Sequence, residues 1–403
     1  MSKSTVSIVK VSPAAEYEAV LVGVRQAIDL AGGLSGVVKP GDLVIIKPNV
    51  LAPSEPGSGA LTRPEVCRAI ADLVRERGAR AVIAESSAVG VDTEKSFASV
   101  GYDALRELGY EVIDLKKEAK RVQVAVETPL VMEEFSTWQI VRDADVIISV
   151  PVLKTHDQAE MTLSLKNLKG LESDKDKKEL HRRGIFKGVA DLASALKPAL
   201  TVIDGIIGQE GLGPLYGIPI HMGLLLASRD LVAADAVASV IAGFRPEEVG
   251  TTVYGALKGL GTMDLSQIEV VGEPLPNVQR RFLRCSEDER VKVEGLQIMH
   301  APGTCTGCRN TVLSVMFDMK NANQLEYLPG LTVITGPGVE VPPDIPPESI
   351  VAVGICVPPE RRGTRFVTGC PPNNVGVVQE LLGGRLKVTR TYATSDEPSP
   401  EDQ

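Results

Sequence analysis

The sequence of 403 residues is poor in aromatic side chains, has few cysteines and carries no excess of positive charge. Aromatic residues make up 4% of the chain, whereas glycine and proline are plentiful, which suits a turn-rich α/β protein better than an all-β sandwich. Six cysteines are too few for a disulfide scaffold of this length. The net charge of -9 argues against broad attraction to nucleic acid or to an anionic membrane.

The chain also lacks an apolar run long enough to cross a bilayer, and residues 1–10 have no apolar core typical of a secretory signal. We therefore expect a cytoplasmic protein with reduced cysteines. The length favours two domains rather than one. We predict an α/β domain over residues 1–262, a smaller α/β domain with the grouped cysteines over 263–390, and a disordered acidic tail over 391–403.

Apolar runs of strand length alternate with helical stretches in the first domain, and this pattern predicts a mostly parallel, doubly wound sheet. The predicted strands there are 43–46, 81–84, 111–115, 146–150, 200–203 and 222–227, and the predicted helices are 63–77, 97–108 and 188–196. In the second domain we predict strands at 268–271, 331–335, 350–355 and 365–368 and a closing helix at 373–382.

Polar clusters follow the apolar runs of the first domain at four places: Lys47-Pro48-Asn49, Glu85-Ser86-Ser87, Lys154-Thr155-His156 and Asp204-Gly205. Functional loops of parallel sheets lie at the carboxyl ends of the strands. One such cluster could simply turn the chain, but four together predict a site at this edge of the sheet. The glycine-rich stretch 204–214 matches neither a dinucleotide-binding nor a Walker pattern, and we interpret it as a loop framing the site.

The segment 151–170 combines lysines, a histidine, hydroxyls and an amide after a buried strand. Histidine can transfer a proton near neutral pH, and a partly desolvated lysine can act as a base or hold an anion. We predict Lys154, His156 and Lys166 as catalytic residues. The residues predicted to bind a small carboxylate or phosphate are Lys47, Asn49, Thr162, Ser164, Asn167 and Asp204.

Two alternatives for this region stay open at the sequence level. Lys154 and Lys166 could be surface charges, with His156 only capping a strand. Likewise, the charged stretch 175–183 could form a solvated helix face or a flexible lid rather than a catalytic element.

Four cysteines of the second domain are grouped. Cys305 and Cys308 form a Cys-x-x-Cys pair, and Cys356 and Cys370 each follow a predicted strand, so parallel neighbours could bring all four to one edge of the sheet. Structural zinc prefers two compact knuckles, whereas iron-sulfur clusters tolerate scattered ligands. We therefore predict an iron-sulfur cluster, with [4Fe-4S] as the favoured form, and keep zinc or a plain thiol cluster as alternatives.

Several motifs, in this order along residues 39–261, resemble the domain of unknown function 362 family. They are Ile46-Lys47-Pro48-Asn49, the stretch around Asp145, Leu153-Lys154-Thr155-His156, Leu163-Ser164-Leu165-Lys166-Asn167-Leu168, Ile203-Asp204-Gly205, Gly213-Pro214 and Ala227-Ser228-Arg229-Asp230 with Asp235. The resemblance implies a bacterial or archaeal protein, often one joined to a ferredoxin-like iron-sulfur segment. This sequence departs from that pattern because it lacks the tandem Cys-x-x-Cys-x-x-Cys run of a bacterial ferredoxin.

Our leading hypothesis is an enzyme that holds a small anionic substrate and uses the cluster as Lewis acid or electron source, with isomerisation, dehydration and reduction as open reaction types. One alternative is a non-catalytic iron-sulfur carrier or electron-transfer protein that docks on a redox partner. A zinc-stabilised binding module is the third hypothesis. The sequence makes no prediction about substrate identity or oligomeric state.

Overall fold

The computed structural model describes residues 3–288 and 290–384. The predicted acidic tail and the last residues of the predicted second domain lie outside these ranges. From residue 4 to residue 272 the strands are β1 (Ser4–Lys10), β2 (Leu43–Pro48), β3 (Arg80–Glu85), β4 (Glu111–Asp114), β5 (Arg121–Ala125), β6 (Glu134–Trp138), β7 (Val146–Val150), β8 (Val152–His156), β9 (Glu160–Thr162), β10 (Leu200–Glu210), β11 (Ile218–Ile220), β12 (Leu224–Ser228) and β13 (Ile268–Gly272).

The α-helices of the same part of the chain alternate with these strands over much of their length. They are α1 (Tyr17–Leu30), α2 (Pro64–Glu76), α3 (Thr93–Val100), α4 (Tyr102–Glu107), α5 (Gln139–Arg142), α6 (Ser164–Asn167), α7 (Asp174–Arg183), α8 (Ile185–Leu196), α9 (Leu231–Ile241) and α10 (Gly250–Leu257).

The first sheet has the strand order β13-β1-β12-β10-β7-β2-β3-β4, with β8 and β11 paired to β10 and β9 paired to β8. The run from β10 to β4 is parallel, whereas β12 is antiparallel to both of its neighbours. Strand β7 is buried along its whole length, and continuous apolar strands of this kind need helices on both faces of the sheet. The fold is therefore mixed α/β with a mostly parallel sheet, as the sequence predicts.

Three local predictions for this part of the chain were wrong. The predicted helix 97–108 is two helices, α3 and α4, because Gly101 between them has a φ of 91° and ends the first. Asp204 does not end a strand, since β10 continues through the glycines as far as Glu210. The polar cluster 154–156, predicted to follow a strand, belongs to strand β8, which pairs with both β9 and β10.

The second sheet contains β14 (Gln297–His300), β15 (Thr332–Thr335), β16 (Ile350–Val353) and β17 (Phe366–Val367), all parallel and in that order. Helices α11 (Thr306–Asn321) and α12 (Asn374–Leu382) pack on it through an apolar core that includes Val315, Val333 and Val377. Strand β16 ends at Val353, so Cys356 lies beyond the strand that we predicted to run to residue 355. This second α/β unit is a separate sheet with its own core.

Strand β13 shows that the first sheet reaches further along the chain than residue 262. It pairs in parallel with β1, and Val278 and Phe282 pack in the same core as β1 and β12. The chain thus returns to the first sheet before it enters the second. No helix within the described ranges has both the length and the apolar character that crossing a membrane requires.

Candidate functional site

A cavity of about 160 Å³ lies between the first sheet and the helices of the second. Side chains from both parts of the chain line it. The lining residues that the chemistry below depends on are Lys47, Asn49, Glu85, His156, Asp157, Lys166, Asn167, Lys169, Lys177, His181, Ser314, Asp318 and Asn374. We call this cavity the interdomain pocket.

Lys47 and Glu85, at the ends of the neighbouring strands β2 and β3, form a buried ion pair at the base of the pocket. Lys47 Nζ lies 2.7 Å from Glu85 Oε2, and the side chains are only 1% and 3% exposed. Burial lowers the pKa of Lys47, and Glu85 opposes this shift. An added Cβ at Gly170 would lie 1.8 Å from Glu85 Oε1, so this position has room only for glycine. The pair is enclosed and its charges cancel.

Asn49 and Asn167 join the strand ends to helix α6. Asn49 Nδ2 donates to Asn167 Oδ1 at 3.1 Å, and Asn167 Nδ2 donates to the carbonyl oxygen of Lys47 at 2.8 Å. The side-chain amide oxygen of Asn49, Oδ1, is buried and has no hydrogen-bond partner among the described residues. These amides fix the position of α6 against the sheet.

Helix α6 presents Lys166 to the pocket, and Asp235 anchors the start of this helix. The backbone N–H groups of Ser164 and Leu165 donate to the two carboxyl oxygens of Asp235 at 2.8 and 3.2 Å. Burial raises the pKa of Asp235 to about 7. The sequence gives no direct signal for this anchor beyond an acidic residue inside an apolar helix.

Lys166 makes no hydrogen bond or ion pair with any residue in the described ranges, in contrast to Lys47. Burial, together with the nearby Lys169 and Lys154, lowers its pKa well below the usual value for lysine. A lysine that lacks an anionic partner in a cavity is a ready binding group for an anion, because the anion would restore the charge that burial disfavours. Lys166 is therefore the candidate anion-binding residue.

His156 and Asp157 form a buried pair at the end of β8. His156 Nδ1 lies 2.9 Å from Asp157 Oδ1, and the Gln158 N–H is within hydrogen-bonding distance of both, at 3.0 and 2.8 Å. Burial and Lys166 lower the pKa of His156 to about 4, so the ring is neutral at pH 7. A neutral ring protonated on Nδ1 would donate this proton to the Asp157 carboxylate, the stronger acceptor, while the Gln158 N–H donates to the same carboxylate. In that tautomer the lone pair of Nε2 is free to accept a proton.

Four of the predicted site residues do not line the interdomain pocket. Lys154 is fully buried, which rules out the surface-charge alternative for it, and its Nζ donates to the carbonyl oxygens of Ala60 and Pro214 at 2.5 and 3.2 Å. Asp204 accepts from the backbone N–H groups of Arg63 and Ile206.

Thr162 and Ser164 are the other two. Thr162 belongs to β9 and Ser164 begins α6, so Thr162 and Lys166 do not share one helix face. The hydroxyl of Ser164 accepts from Thr201 at 2.8 Å.

Helix α7, the charged stretch that the sequence left ambiguous, closes one side of the pocket. Lys177 Nζ donates to the Ser86 hydroxyl at 2.7 Å, to the Ser87 carbonyl at 2.9 Å and to Asp174 at 2.9 Å. Lys169 Nζ lies 2.8 Å from His181 Nε2. The helix is tied to the ends of β3 and α6 by these contacts, so it is a wall of the site rather than a solvated face.

The four grouped cysteines all lie at the carboxyl end of the second sheet. Cys305 and Cys308 begin α11 after β14, and Cys356 and Cys370 follow β16 and β17. Both Cys356 and Cys370 act electrostatically on Cys308 and raise its pKa, together with burial and the hydrogen bond to Cys305. Cys305 and Cys356 are exposed, Cys370 is half-buried and Cys308 is buried.

The surroundings of these cysteines suit a group with negative sulfur ligands. Cys305 accepts hydrogen bonds from Cys308 and from the N–H groups of Gly307 and Cys308 at the start of α11, and these hydrogen bonds outweigh burial and lower its pKa to about 6. An added Cβ at Gly354 would lie 2.9 Å from Cys308 Sγ.

No three His, Cys, Asp or Glu side chains in the described chain are arranged to hold a single metal ion. Zinc bonded to sulfur at about 2.3 Å needs its ligands close together, whereas a cluster places several irons between them. The four thiols are the donor type that both zinc and iron-sulfur clusters bind.

Gln158 connects the interdomain pocket to the carboxyl end of the second sheet, where the four cysteines lie and which we call the cysteine edge. Its side-chain amide donates to the Pro372 carbonyl at 2.9 Å and to Asn374 Oδ1 at 3.1 Å. The backbone carbonyl oxygen of Gln158 would lie 3.3 Å from a Cβ added at Gly307, which stands between Cys305 and Cys308. The pocket and the cysteines are thus neighbours across one interface. Asp157 directly follows His156 in the segment 151–170 and was nevertheless missed as a pocket residue. Ser314 and Asn374 belong to no cysteine or lysine motif, so no local pattern could have identified them.

Comparison with known proteins places these features in a family. The model of a family described as a domain of unknown function, DUF362, matches residues 44–240, which include all the pocket residues named above from the first part of the chain. A thylakoid-associated protein of Synechocystis is 33% identical over 257 residues, covering 60% of this chain and 77% of that protein.

Among solved structures, the lactate racemase apoprotein of Thermoanaerobacterium thermosaccharolyticum is similar with a TM-score of 0.38 and 12% identity, covering 83% of this chain and 70% of that one. A likeness this distant carries no argument about the function of the site. The family model and the Synechocystis relative agree with the motifs in the sequence, and the chain belongs to the DUF362 family.

Proposed function

We propose that this protein is an iron-sulfur enzyme that acts on a small anionic substrate in the interdomain pocket. Lys166 binds the carboxylate or phosphate of the substrate, and His156 transfers a proton at Nε2. The observation that carries the proposal is the unpartnered Lys166 beside the His156–Asp157 pair, in a pocket that adjoins four cysteines.

The two groups suit complementary tasks. An anion near Lys166 would favour the charged ammonium, and exclusion of water from the pocket would strengthen their attraction. His156 is neutral at pH 7, so its Nε2 can accept a proton from a bound substrate, and the carboxylate of Asp157 would stabilise the resulting imidazolium. Lys47 and Glu85 form the floor of the pocket and need no change of charge.

Cys305, Cys308, Cys356 and Cys370 would hold the cluster, with the start of α11 directing backbone N–H groups toward the sulfurs. When bound, a cluster supplies either a Lewis-acidic iron or an electron to the neighbouring pocket. Isomerisation, dehydration and reduction are all compatible with this arrangement.

The anion-binding part is tested by titrating anaerobically purified protein with inorganic phosphate and with a panel of small mono- and dicarboxylates in a calorimeter. Lys166→Met should weaken the binding of the best of these about 10- to 100-fold, because a charged hydrogen bond is lost. Lys39→Met, which removes an exposed lysine outside the pocket, is the matched control. Unchanged affinity in Lys166→Met would sink this assignment.

The cluster is tested separately by quantifying iron and acid-labile sulfide and recording electron paramagnetic resonance spectra. Serine in place of Cys308 or Cys370 should abolish cluster retention, whereas Cys285→Ala, which removes a buried thiol bonded to the Gly211 carbonyl, should retain it. Protein that is prepared anaerobically and contains no iron contradicts the proposal.

A non-catalytic electron carrier is the second candidate, and the exposure of Cys305 and Cys356 favours it, since an exposed cluster exchanges electrons readily with a partner protein. Anion titration and redox measurements distinguish the two candidate functions. A carrier would show reversible redox behaviour while none of the anions binds in the pocket.

A further inference from the structure

Polar contacts between the two parts of the chain converge on the residues directly after His156. Gln158 reaches Pro372 and Asn374, as described above. Burial raises the pKa of Asp157, but His156 and a hydrogen bond from the Ser314 hydroxyl outweigh it and lower that pKa. Asp157 and Ser314 are only 4% and 3% exposed. A hydroxyl buried against a carboxylate in this way restricts the orientations that the carboxylate can adopt.

Ser314 is itself held in place by a second residue. Asn374 Nδ2 donates to Ser314 Oγ at 2.9 Å, and this leaves the Ser314 O–H directed to Asp157. The Asn374 amide is oriented in turn, because its oxygen accepts from Gln158 at 3.1 Å and its nitrogen also donates to Asp318 at 3.2 Å. A continuous chain of hydrogen bonds therefore runs from Asn374 through Ser314 and Asp157 to His156.

The two residues at the far end of this chain come from the segments that carry the cysteines. Ser314 is on α11, the helix that contains Cys308, and Asn374 is the first residue of α12, which follows Cys370. These hydrogen bonds therefore connect two helices of the second domain to the histidine ring on β8 of the first.

We propose that Ser314 and Asn374 are positioning residues that hold the Asp157 carboxylate against His156 and so keep the ring protonated on Nδ1, with Nε2 available to the pocket. The inference rests on the proposed function, for which a fixed tautomer is needed. Without Ser314 and Asn374, only the Gln158 N–H would hold the Asp157 carboxylate, which could then rotate away from the ring, and the ring would populate both neutral tautomers.

The test reads the tautomer directly rather than an activity. In protein with ¹⁵N-labelled histidine at pH 7, the chemical shifts of the two ring nitrogens show which one carries the proton. The chain has four histidines, and the spectrum of His156→Gln assigns the signals of His156. We expect an Nδ1-protonated ring in the wild type, and Asp157→Asn gives the reference for complete loss of the carboxylate.

Ser314→Ala and Asn374→Ala should both shift the His156 signals toward those of Asp157→Asn, with Ser314→Ala, which loses the direct contact, shifting further. Asn321→Ala, at the exposed end of α11, controls for loss of a polar side chain on that helix and should leave the signals unchanged. Wild-type signals in both variants, or an Nε2-protonated ring in the wild type, would overturn the inference.

Failure of this inference and failure of the proposed function are distinguishable. The tautomer is measured without substrate, so it can be fixed by Ser314 and Asn374 in a protein whose pocket binds none of the anions. Conversely, Lys166→Met can abolish phosphate or carboxylate binding while the ring signals of Ser314→Ala remain those of the wild type. Far-ultraviolet circular dichroism and the thermal midpoint of each variant establish that the chain is folded.

Discussion

The lysine side of the interdomain pocket and the cysteine edge of the second sheet satisfy their polar groups in opposite ways. Lys47 is enclosed, with the Glu85 carboxylate at 2.7 Å and the Pro48 carbonyl at 2.5 Å as partners. Cys305 and Cys356 are exposed, and the cysteines interact mainly with one another. The first region is therefore satisfied by partners within the chain, whereas two of the four thiols in the second are open to solvent.

The largest expected effect on the free energy of unfolding comes from removing Lys47 from its buried ion pair with Glu85. Lys47→Met leaves Glu85 buried without its counter-charge, and we expect a loss of about 3–5 kcal/mol in the free energy of unfolding. Lys10→Met is the matched control, because its ion pair with Glu273 is exposed and worth about 0–1 kcal/mol. Urea denaturation of both variants measures the difference. Equal losses would mean that the pair at the base of the pocket is not enclosed.

The pH dependence of stability gives the next largest effect, at Glu172 beside the pocket wall. Its carboxyl is buried, neither oxygen has a hydrogen-bond partner among the described residues, and burial raises its pKa to about 8. The folded protein therefore holds this proton more tightly than the unfolded chain does, so the wild type should lose stability as pH rises from about 4.5 to about 8.

Glu172→Gln removes this ionisation, and the stability of the variant relative to the wild type should rise across that window, by on the order of 3–4 kcal/mol in total. Glu118→Gln, at an exposed glutamate, controls for the loss of one carboxylate. Urea denaturation at several pH values between 5 and 8.5 measures both. A constant difference between Glu172→Gln and the wild type would contradict the prediction.

The smallest expected change in stability concerns the cysteine edge. Gly354 has a φ of 97°, and an added Cβ would meet Cys308 Sγ at 2.9 Å, whereas Gly338 has a φ of 69° and open space around it. In both alanine variants, the left-handed backbone lowers the free energy of unfolding by about 1–2 kcal/mol. Only Gly354→Ala must also displace a thiol, so it should lose roughly 1–3 kcal/mol more and retain less iron. Equal thermal midpoints and equal iron contents in the two variants would show that Cys308 is not held in place.

Much of the architecture was predictable because buried parallel strands have a simple sequence pattern, a short continuous run of apolar residues. Strands β2, β3, β7 and β16 lie where such runs occur, and the polar residues after β2 and β3 do meet at the pocket. Helix α3 ends early because Gly101 adopts a backbone conformation that a helical pattern of apolar residues does not reveal. Strand β13 lies in the first sheet, although we placed residues 268–271 in the second domain, since its pairing with β1 joins residues that are far apart in sequence.

The candidate site was predictable only in part. Lys166 and His156 line the pocket, but Lys154 turns to the carbonyls of Ala60 and Pro214, which lie in loops that no local pattern connects to it. The supports of His156 come from α11 and α12, more than 150 residues away. Such contacts depend on how two sheets face each other, and that arrangement is a property of the folded chain.

Strand β1 lies between β12 and β13, antiparallel to one and parallel to the other. Its seven residues thus shield the backbone edges of two strands at once. A truncation that removes β1 would expose the backbone edges of both strands, and exposed strand edges promote aggregation by pairing with other chains. Affinity tags are better fused upstream of this segment than substituted for it.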